Sequence, residues 1–313
     1  MLRLGFDVGG TKVAAGLIDD NWQVRHKLSR RFPRGRDGTY LADMMLQMGR
    51  ELCREAEIAP ADLTRVGAAL PGTLDAENGI VIDAYNLGFH DLPLLQLLQQ
   101  RFTGADLSLC NDADAAARAE LAAGALQGCS CGLLLTLGTG LGGGIVSQGR
   151  LFPGGQNRGV EIGHMLLHKG GRLCSCGQRG CAECYCSATA LARAGRRAAM
   201  RYPDSLLARR CRGRIQRISA KLVTDCVQEG DPAAVEVFDA YLDELASAIA
   251  SLVNIMDPQV IALGGGLGQC GELLCQPLRS RVADRCFHHS CGRIVPAALG
   301  NDAGLIGAVL PQE

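Results

Sequence analysis

The chain has 313 residues, with 32 Lys plus Arg balanced by 32 Asp plus Glu, so its net charge is zero. That balance gives no overall attraction to nucleic acid or to an anionic membrane, and no uncharged apolar run reaches the ~18–20 residues a membrane helix needs. The length suits two ordinary domains. The opening "MLRLGFDVGG" runs directly into a strand and a glycine turn without a signal-peptide core, so a cytoplasmic protein is expected.

"LRLGFDV" and "VAAGLID" read as strands on either side of the turn "GGTK", with Asp7 at the end of the first and Gly9, Gly10, Thr11 and Lys12 in the turn. Glycine lets backbone N–H groups approach a phosphate, while Thr11 and Lys12 add a hydroxyl and a charge. Asp7 would repel phosphate unless Mg²⁺ stood between them. The loop is neither a Walker loop nor a dinucleotide fingerprint, and a tight hairpin without ligand is the alternative. Helical spacing covers "YLADMMLQMGRELCREAEI", and short apolar runs at Val66–Leu70, Ile80–Ile82 and Leu107–Cys110 read as strands. "NDADAAA" then places Asn111 and Asp112 just past a strand, where α/β sheets present ligand-binding groups. Asp112 could equally cap the helix pattern "AAARAELAAGAL".

Near Gly132 the pattern repeats. "GLLLTLGTGLGGGIVSQG" is again a strand, a glycine turn bearing a threonine, and a strand, so Gly138, Thr139 and Gly140 are matched with the first loop. A third glycine loop, "GGGLG" (264–268), follows the strand "VIALGGG", and with Gly265 and Gly266 it offers bare backbone to a nucleotide base and ribose. Further helices are expected over "SATALARAGRRAA", over 233–256 and after "GNDAG". Strands alternating with helices make this an α/β protein.

Fifteen cysteines in a cytosolic chain favour thiols and metal ligands over disulfides. Five of them fall in "GRLCSCGQRGCAECYCS". His164 of "EIGH" (161–164) with Cys174, Cys176 and Cys181 makes the Cys₃His set of a closed structural Zn²⁺ site. A redox pair Cys181–Cys184 is the competing reading, and Cys184 and Cys186 read as packing residues at a helix start.

Taken together, "GFDVGGTK", "LPGTLD", "NDADAA", "LGTGLGGG", "EIGH", "CSCGQRGCAE" and "DPQVIALGGG" resemble the ROK family of sugar kinases nearly end to end, closest to its bacterial glucokinase branch. The resemblance implies an actin-like, duplicated ribonuclease H-like fold with its active site in the cleft between two lobes. The lobes would be residues 1–115, with 297–313 packing back on them, and 116–296 with the zinc loop. It implies ATP with Mg²⁺ as phosphoryl donor, held by Asp7, Gly9, Gly10, Thr11, Lys12, Gly138, Thr139, Gly140, Gly265 and Gly266. It implies a hexose held by Gly72, Asn86, Asn111, Asp112, Glu161, His164 and Glu183, with Asp112 as general base and His164 shared between zinc and sugar. A homodimer is implied too, and no nucleic-acid or membrane partner. On this assignment Gly140→Val should harm ATP binding and spare sugar binding. Two departures stand out: Asp114 where asparagine is common, and Phe89-His90 in "NLGFHDLP", where glucokinase-like members often have Trp and a basic or polar residue. The second loosens the tie to glucose and leaves N-acetylmannosamine, N-acetylglucosamine and fructose open as acceptors. A sugar-responsive transcriptional regulator, the other class within this family, would need an N-terminal helix-turn-helix, whereas here the phosphate loop starts at residue 5.

Overall fold

The computed structural model describes residues 1–155 and 159–311. They divide into two units, one of residues 1–124, 151–159 and 301–313 and the other of residues 125–150 and 160–300.

The first unit opens with β1 (Leu2–Val8), β2 (Lys12–Ile18), β3 (Val24–Arg31) and β4 (Leu63–Leu70). A small antiparallel sheet of β5 (Thr73–Asp75), β6 (Ile80–Ala84) and β7 (Phe89–Leu92) follows, and then β8 (Asp106–Asn111). The main sheet runs β3-β2-β1-β4-β8, antiparallel from β3 to β1 and parallel from β1 to β8. β1, β2 and β4 are apolar at nearly every position because helices cover both of their faces. On one face Leu4 meets the helix Gly38–Glu55, whose Gly49 admits it closely. On the other face Gly5 and Gly67 are register partners across β1 and β4. They form a bare patch on which the backbone of the helix Ala303–Ala308 rests. A Cβ on Gly67 would stand 1.9 Å from the Ala308 carbonyl oxygen, and one on Gly5 would stand 2.2 Å from that of Leu305. Buried Ser108 donates to the same Ala308 carbonyl at 2.9 Å.

The second unit holds β9 (Cys131–Leu137), β10 (Leu141–Ser147), β12 (Val260–Gly264) and β13 (Arg293–Pro296), and with β11 (Arg150–Leu151), at whose first residue the unit's boundary falls, the order is β11-β10-β9-β12-β13. The pairing repeats that of the first sheet: β9 is antiparallel to β10 and parallel to β12, and β12 is parallel to β13. The internal repeat legible around the two glycine turns is thus a repeat of whole sheets. The helices Ala188–Arg201, Ala220–Gln228, Pro232–Met256 and Glu272–Ala283 pack with this sheet into one apolar core.

Several elements escaped the sequence reading: β3, β5, β7 and β13, and the helices Leu206–Cys211, Ala220–Gln228 and Glu272–Ala283. The third glycine loop is not open backbone throughout. Residues Gly265–Gly268 form one helical turn, entered through Gly265 at φ +73°, where a Cβ would stand 2.7 Å from the Leu137 amide nitrogen. Gly266 meets nothing and is the exposed part of that loop. Among the described residues no helix is long and apolar enough to cross a membrane, and all fifteen cysteines are free.

Candidate active site

In the first unit the turn between β1 and β2 is closed by Gly9 N–H donating to the Lys12 carbonyl at 2.8 Å. Phe32 N–H, donating to the Thr11 carbonyl at 2.9 Å, pins it from beyond β3. Thr11 and Lys12 are exposed at its tip. Gly10 lies against Asn86, whose Cβ and carbonyl oxygen are each 3.4 Å from where a Gly10 Cβ would be. Gly72 sits at φ +105° with the Asp83 carbonyl 2.0 Å from its missing Cβ, so no other residue fits there.

Asn111 is the residue that joins these parts. Its Oδ1 accepts from Ala113 N–H at 2.8 Å and Asp114 N–H at 3.3 Å, and its Nδ2 donates to the Gly72 carbonyl at 3.0 Å. The helix therefore begins at Asp112 and is capped by Asn111. The alternative of Asp112 as the cap is corrected, because the amide one residue earlier takes both free N–H groups. Asp112 keeps one local contact, Oδ1 accepting from Ala113 N–H at 2.8 Å. Its carboxylate is accessible to water although protein surrounds it on most sides. That enclosure raises its pKa, and the N–H groups of Ala113 and of Asp112 itself partly offset the rise. Asp7, half-buried at the end of β1, is raised to about 6, first by burial and then by the charge of Asp112, against the lowering influence of Lys12 and Lys27. A carboxylate whose ionisation is made costlier by a second carboxylate marks a place where a hard cation is favoured. The residues present fit Mg²⁺.

In the second unit the matching turn between β9 and β10 is closed by Gly138 N–H donating to the Gly140 carbonyl at 3.0 Å. The helix Ala188–Arg201 holds it from outside: Ala188 N–H donates to the Gly138 carbonyl at 2.9 Å, and Thr189 Oγ1 to the Thr139 carbonyl at 2.7 Å. Thr139 is exposed. Glu183 Oε2 accepts from Leu141 N–H at 3.1 Å, and a Cβ on Gly140 would stand 2.3 Å from that same oxygen. A larger side chain at Gly140 would therefore press on the carboxylate expected to hold sugar as well as on any phosphate at the turn.

Glu161 is exposed and directly precedes a single turn, Ile162–His164, which presents His164 to the cysteine loop. That loop is folded by short bridges, Leu166 with Cys181 and Leu173 with Arg179. Two glycines at positive φ, Gly177 at +87° and Gly180 at +88°, turn the chain. His164 Nδ1 is 3.6 Å from Cys174 Sγ, Cys176 Sγ is 3.6 Å from Cys181 Sγ, and all four ligand atoms lie within 4.8 Å of one another. Zn–S and Zn–N bonds of ~2.3 and ~2.0 Å in a tetrahedron imply ligand–ligand edges of ~3.5–3.8 Å, so the cluster fits one Zn²⁺. For Cys174, burial acts upward but is outweighed by the Cys176 N–H and by hydrogen bonds from Cys176, Ser175 and Cys181, leaving it at about 7. Cys181 is pushed up to about 12 by burial and by its neighbouring thiols. Ionising all three together calls for a cation. Cys181 thus faces Cys176 within the cluster. Cys184 lies outside the four-atom cluster, with its Sγ 3.6 Å from the Leu173 carbonyl. Among the described residues His164 Nε2 has no partner.

Sequence reasoning missed the braces of this loop. Tyr185 OH accepts from Arg172 N–H at 2.8 Å, the Arg172 guanidinium lies 4.4 Å over the Tyr185 ring, and His168 Nε2 pairs with Glu244 Oε2 at 2.6 Å. Their spacing carries no motif, and the only available signal was an aromatic and an arginine flanking the thiols.

The profile described as ROK family matches residues 3–311. A glucokinase of Thermotoga maritima is 35% identical over 312 residues, covering 97% of this chain and 95% of that protein. An N-acetylmannosamine kinase of Escherichia coli is 29% identical over 313 residues, covering 99% and 98%. Among solved structures, a ROK family glucokinase from Streptomyces griseus in complex with glucose and AMPPNP superposes with a TM-score of 0.84 at 30% identity, covering 99% of this chain and 98% of that one.

Proposed function

The chain belongs to the ROK family and has its actin-like ATPase fold, and on that premise we propose that it is an ATP-dependent sugar kinase whose preferred acceptor is glucose. The similarity to glucokinases, one of them bound to glucose and an ATP analogue, supports the class and favours that sugar. The observation that carries the chemistry is Asp112. Asn111 takes over the capping of its helix, so Asp112 stands as a water-accessible carboxylate with oxygen capacity to spare.

In the reaction we infer, Asp112 accepts the proton of the sugar's primary hydroxyl as that oxygen attacks the γ-phosphorus, and ADP leaves. Little proton transfer is needed before a loose transition state, so positioning and electrostatics dominate. The backbone N–H groups and hydroxyls of the turns at Thr11 and at Thr139 are read as partners of phosphate oxygens. Mg²⁺, when bound near Asp7, neutralises phosphate charge. Glu161, Glu183 and His164 Nε2 are read as partners of the sugar hydroxyls. A zinc ion held by His164 with Cys174, Cys176 and Cys181 would fix the His164 tautomer and ring orientation.

Asp112→Asn keeps shape and removes the base. Turnover should fall by at least ~10²-fold with ATP binding intact, and a variant retaining more than about a tenth of turnover would sink the assignment. A coupled ADP-release assay over glucose, fructose, N-acetylglucosamine and N-acetylmannosamine tests the acceptor. A higher kcat/KM for any of the last three displaces glucose.

A further inference from the structure

Every backbone carbonyl of the turn Gly138–Gly140 has a hydrogen-bond partner. The Gly138 carbonyl accepts from Ala188 N–H at 2.9 Å, the Thr139 carbonyl from Thr189 Oγ1 at 2.7 Å, and the Gly140 carbonyl from Gly138 N–H at 3.0 Å. Among the described residues, the N–H groups of Thr139 and Gly140 donate to nothing. A peptide unit is planar, and in its trans form the C=O and N–H point in opposite directions. Among the described residues no peptide bond is cis. The Gly138 carbonyl shares its plane with Thr139 N–H, and the Thr139 carbonyl shares its plane with Gly140 N–H. Both carbonyls are held by the first turn of the helix Ala188–Arg201, so both unused N–H groups point away from that helix.

The two holds differ in kind. Ala188 contributes a backbone N–H, which only proline would remove, whereas Thr189 contributes a hydroxyl. The plane held by Thr189 ends at Gly140, where no Cβ restricts φ, so it is the plane more free to rotate. Half-buried Thr189 is not needed to start its helix, because Ser187 Oγ already caps it, accepting from Ala190 N–H at 3.1 Å. In the first unit the matching carbonyl, that of Thr11, accepts from the backbone N–H of Phe32 at 2.9 Å. Among the described residues, Thr189 is therefore the one side chain that holds a carbonyl in either of these two turns. We propose that Thr189 is a positioning residue for the phosphoryl donor: its hydroxyl keeps the Thr139–Gly140 peptide with its N–H outward. Without that hydroxyl the peptide can turn its carbonyl, the negative end of its dipole, toward the phosphates. The inference rests on the reading of the chain as an ATP-dependent kinase, and in it Thr189 touches neither ATP nor sugar.

Thr189→Val keeps the branched shape and removes the hydroxyl, and Thr189→Ser keeps the hydroxyl. Calorimetry with ATP and Mg²⁺, and separately with adenosine, reads affinity without any sugar. Steady-state kinetics with glucose as acceptor separate the KM for ATP from kcat, and a thermal melt checks the fold. Thr189→Val should weaken ATP binding and raise its KM by ~3- to 10-fold, the range of one neutral hydrogen bond. At saturating ATP kcat should be unchanged, as when an interaction made equally in ground and transition states is lost. Adenosine, which has no phosphate, should bind both variants as it binds the unaltered protein, and Thr189→Ser should restore ATP affinity. A general loosening of the fold would instead weaken adenosine and ATP alike. Unchanged ATP affinity in Thr189→Val, an equal loss for adenosine, or no recovery in Thr189→Ser would overturn the proposal while leaving the kinase reading in place. Failure of the unaltered protein to bind ATP would overturn the kinase reading and this inference with it.

Discussion

Gly140→Ala places one methyl group 2.3 Å from Glu183 Oε2. Real Cβ atoms do not approach so closely, so something must move. The carboxylate is the end of a flexible side chain, whereas Gly140 is fixed within the closed turn between β9 and β10, so the carboxylate moves. In doing so it gives up the 3.1 Å bond from Leu141 N–H that aims it. A hydrogen bond to a charged group contributes ~1.5–3 kcal/mol, and each ~1.4 kcal/mol is tenfold in affinity. Sugar affinity should therefore fall ~10- to 150-fold. Isothermal calorimetry with glucose in the absence of nucleotide reads this directly, and a thermal melt checks the fold. Unchanged glucose affinity together with a raised KM for ATP would show that Glu183 is not a sugar ligand and that the turn touches phosphates alone.

Cys176→Ser should lose zinc by elemental analysis and lose ~10–100-fold in sugar affinity, while Cys184→Ser keeps both; metal retained in the first or lost in the second would mean that other thiols hold the ion. Asp7, raised to about 6 in the folded protein from an ordinary 3.8, binds more protons folded than unfolded between those values, so it makes stability fall as pH rises from about 4 to 6. Asp7→Asn, measured with chelator present, should melt higher at pH 7 than the unaltered protein and should flatten that part of the curve; a lower melting temperature at pH 7 refutes the reading. Gly67→Ala would drive a methyl into the Ala308 carbonyl and should cost ~1–3 kcal/mol, seen as a fall of several degrees in Tm; no fall would mean that the helix Ala303–Ala308 shifts freely on its sheet.

The two glycine turns were legible because each combines continuous apolar strands with residues that only a tight turn accommodates, and the matching sheets follow from them. The cysteine loop was legible because four soft ligands in 18 residues leave few alternatives. β3 was missed because its alternation, "VRHKLSRR", is carried at a sheet edge by half-buried Val24, His26, Leu28 and Arg30, of which only two are apolar. The helix Glu272–Ala283 hides behind Pro277 in its interior. At the site, composition could not tell which of Asn111 and Asp112 caps the helix. That depends on the Gly72 carbonyl, which β5 and β6 bring to Asn111 from a distant part of the chain.

The helix Ala303–Ala308 fills the face of a sheet whose strands were translated first, and its backbone rests on glycines that leave a trough when it is absent. On a ribosome, the second unit's strands and helices emerge together and can close their core, whereas the first unit's sheet must wait for the far end of the message with an apolar face uncovered. The first unit's sheet is then the part of the chain left exposed to chaperones, proteases and aggregation until that helix arrives.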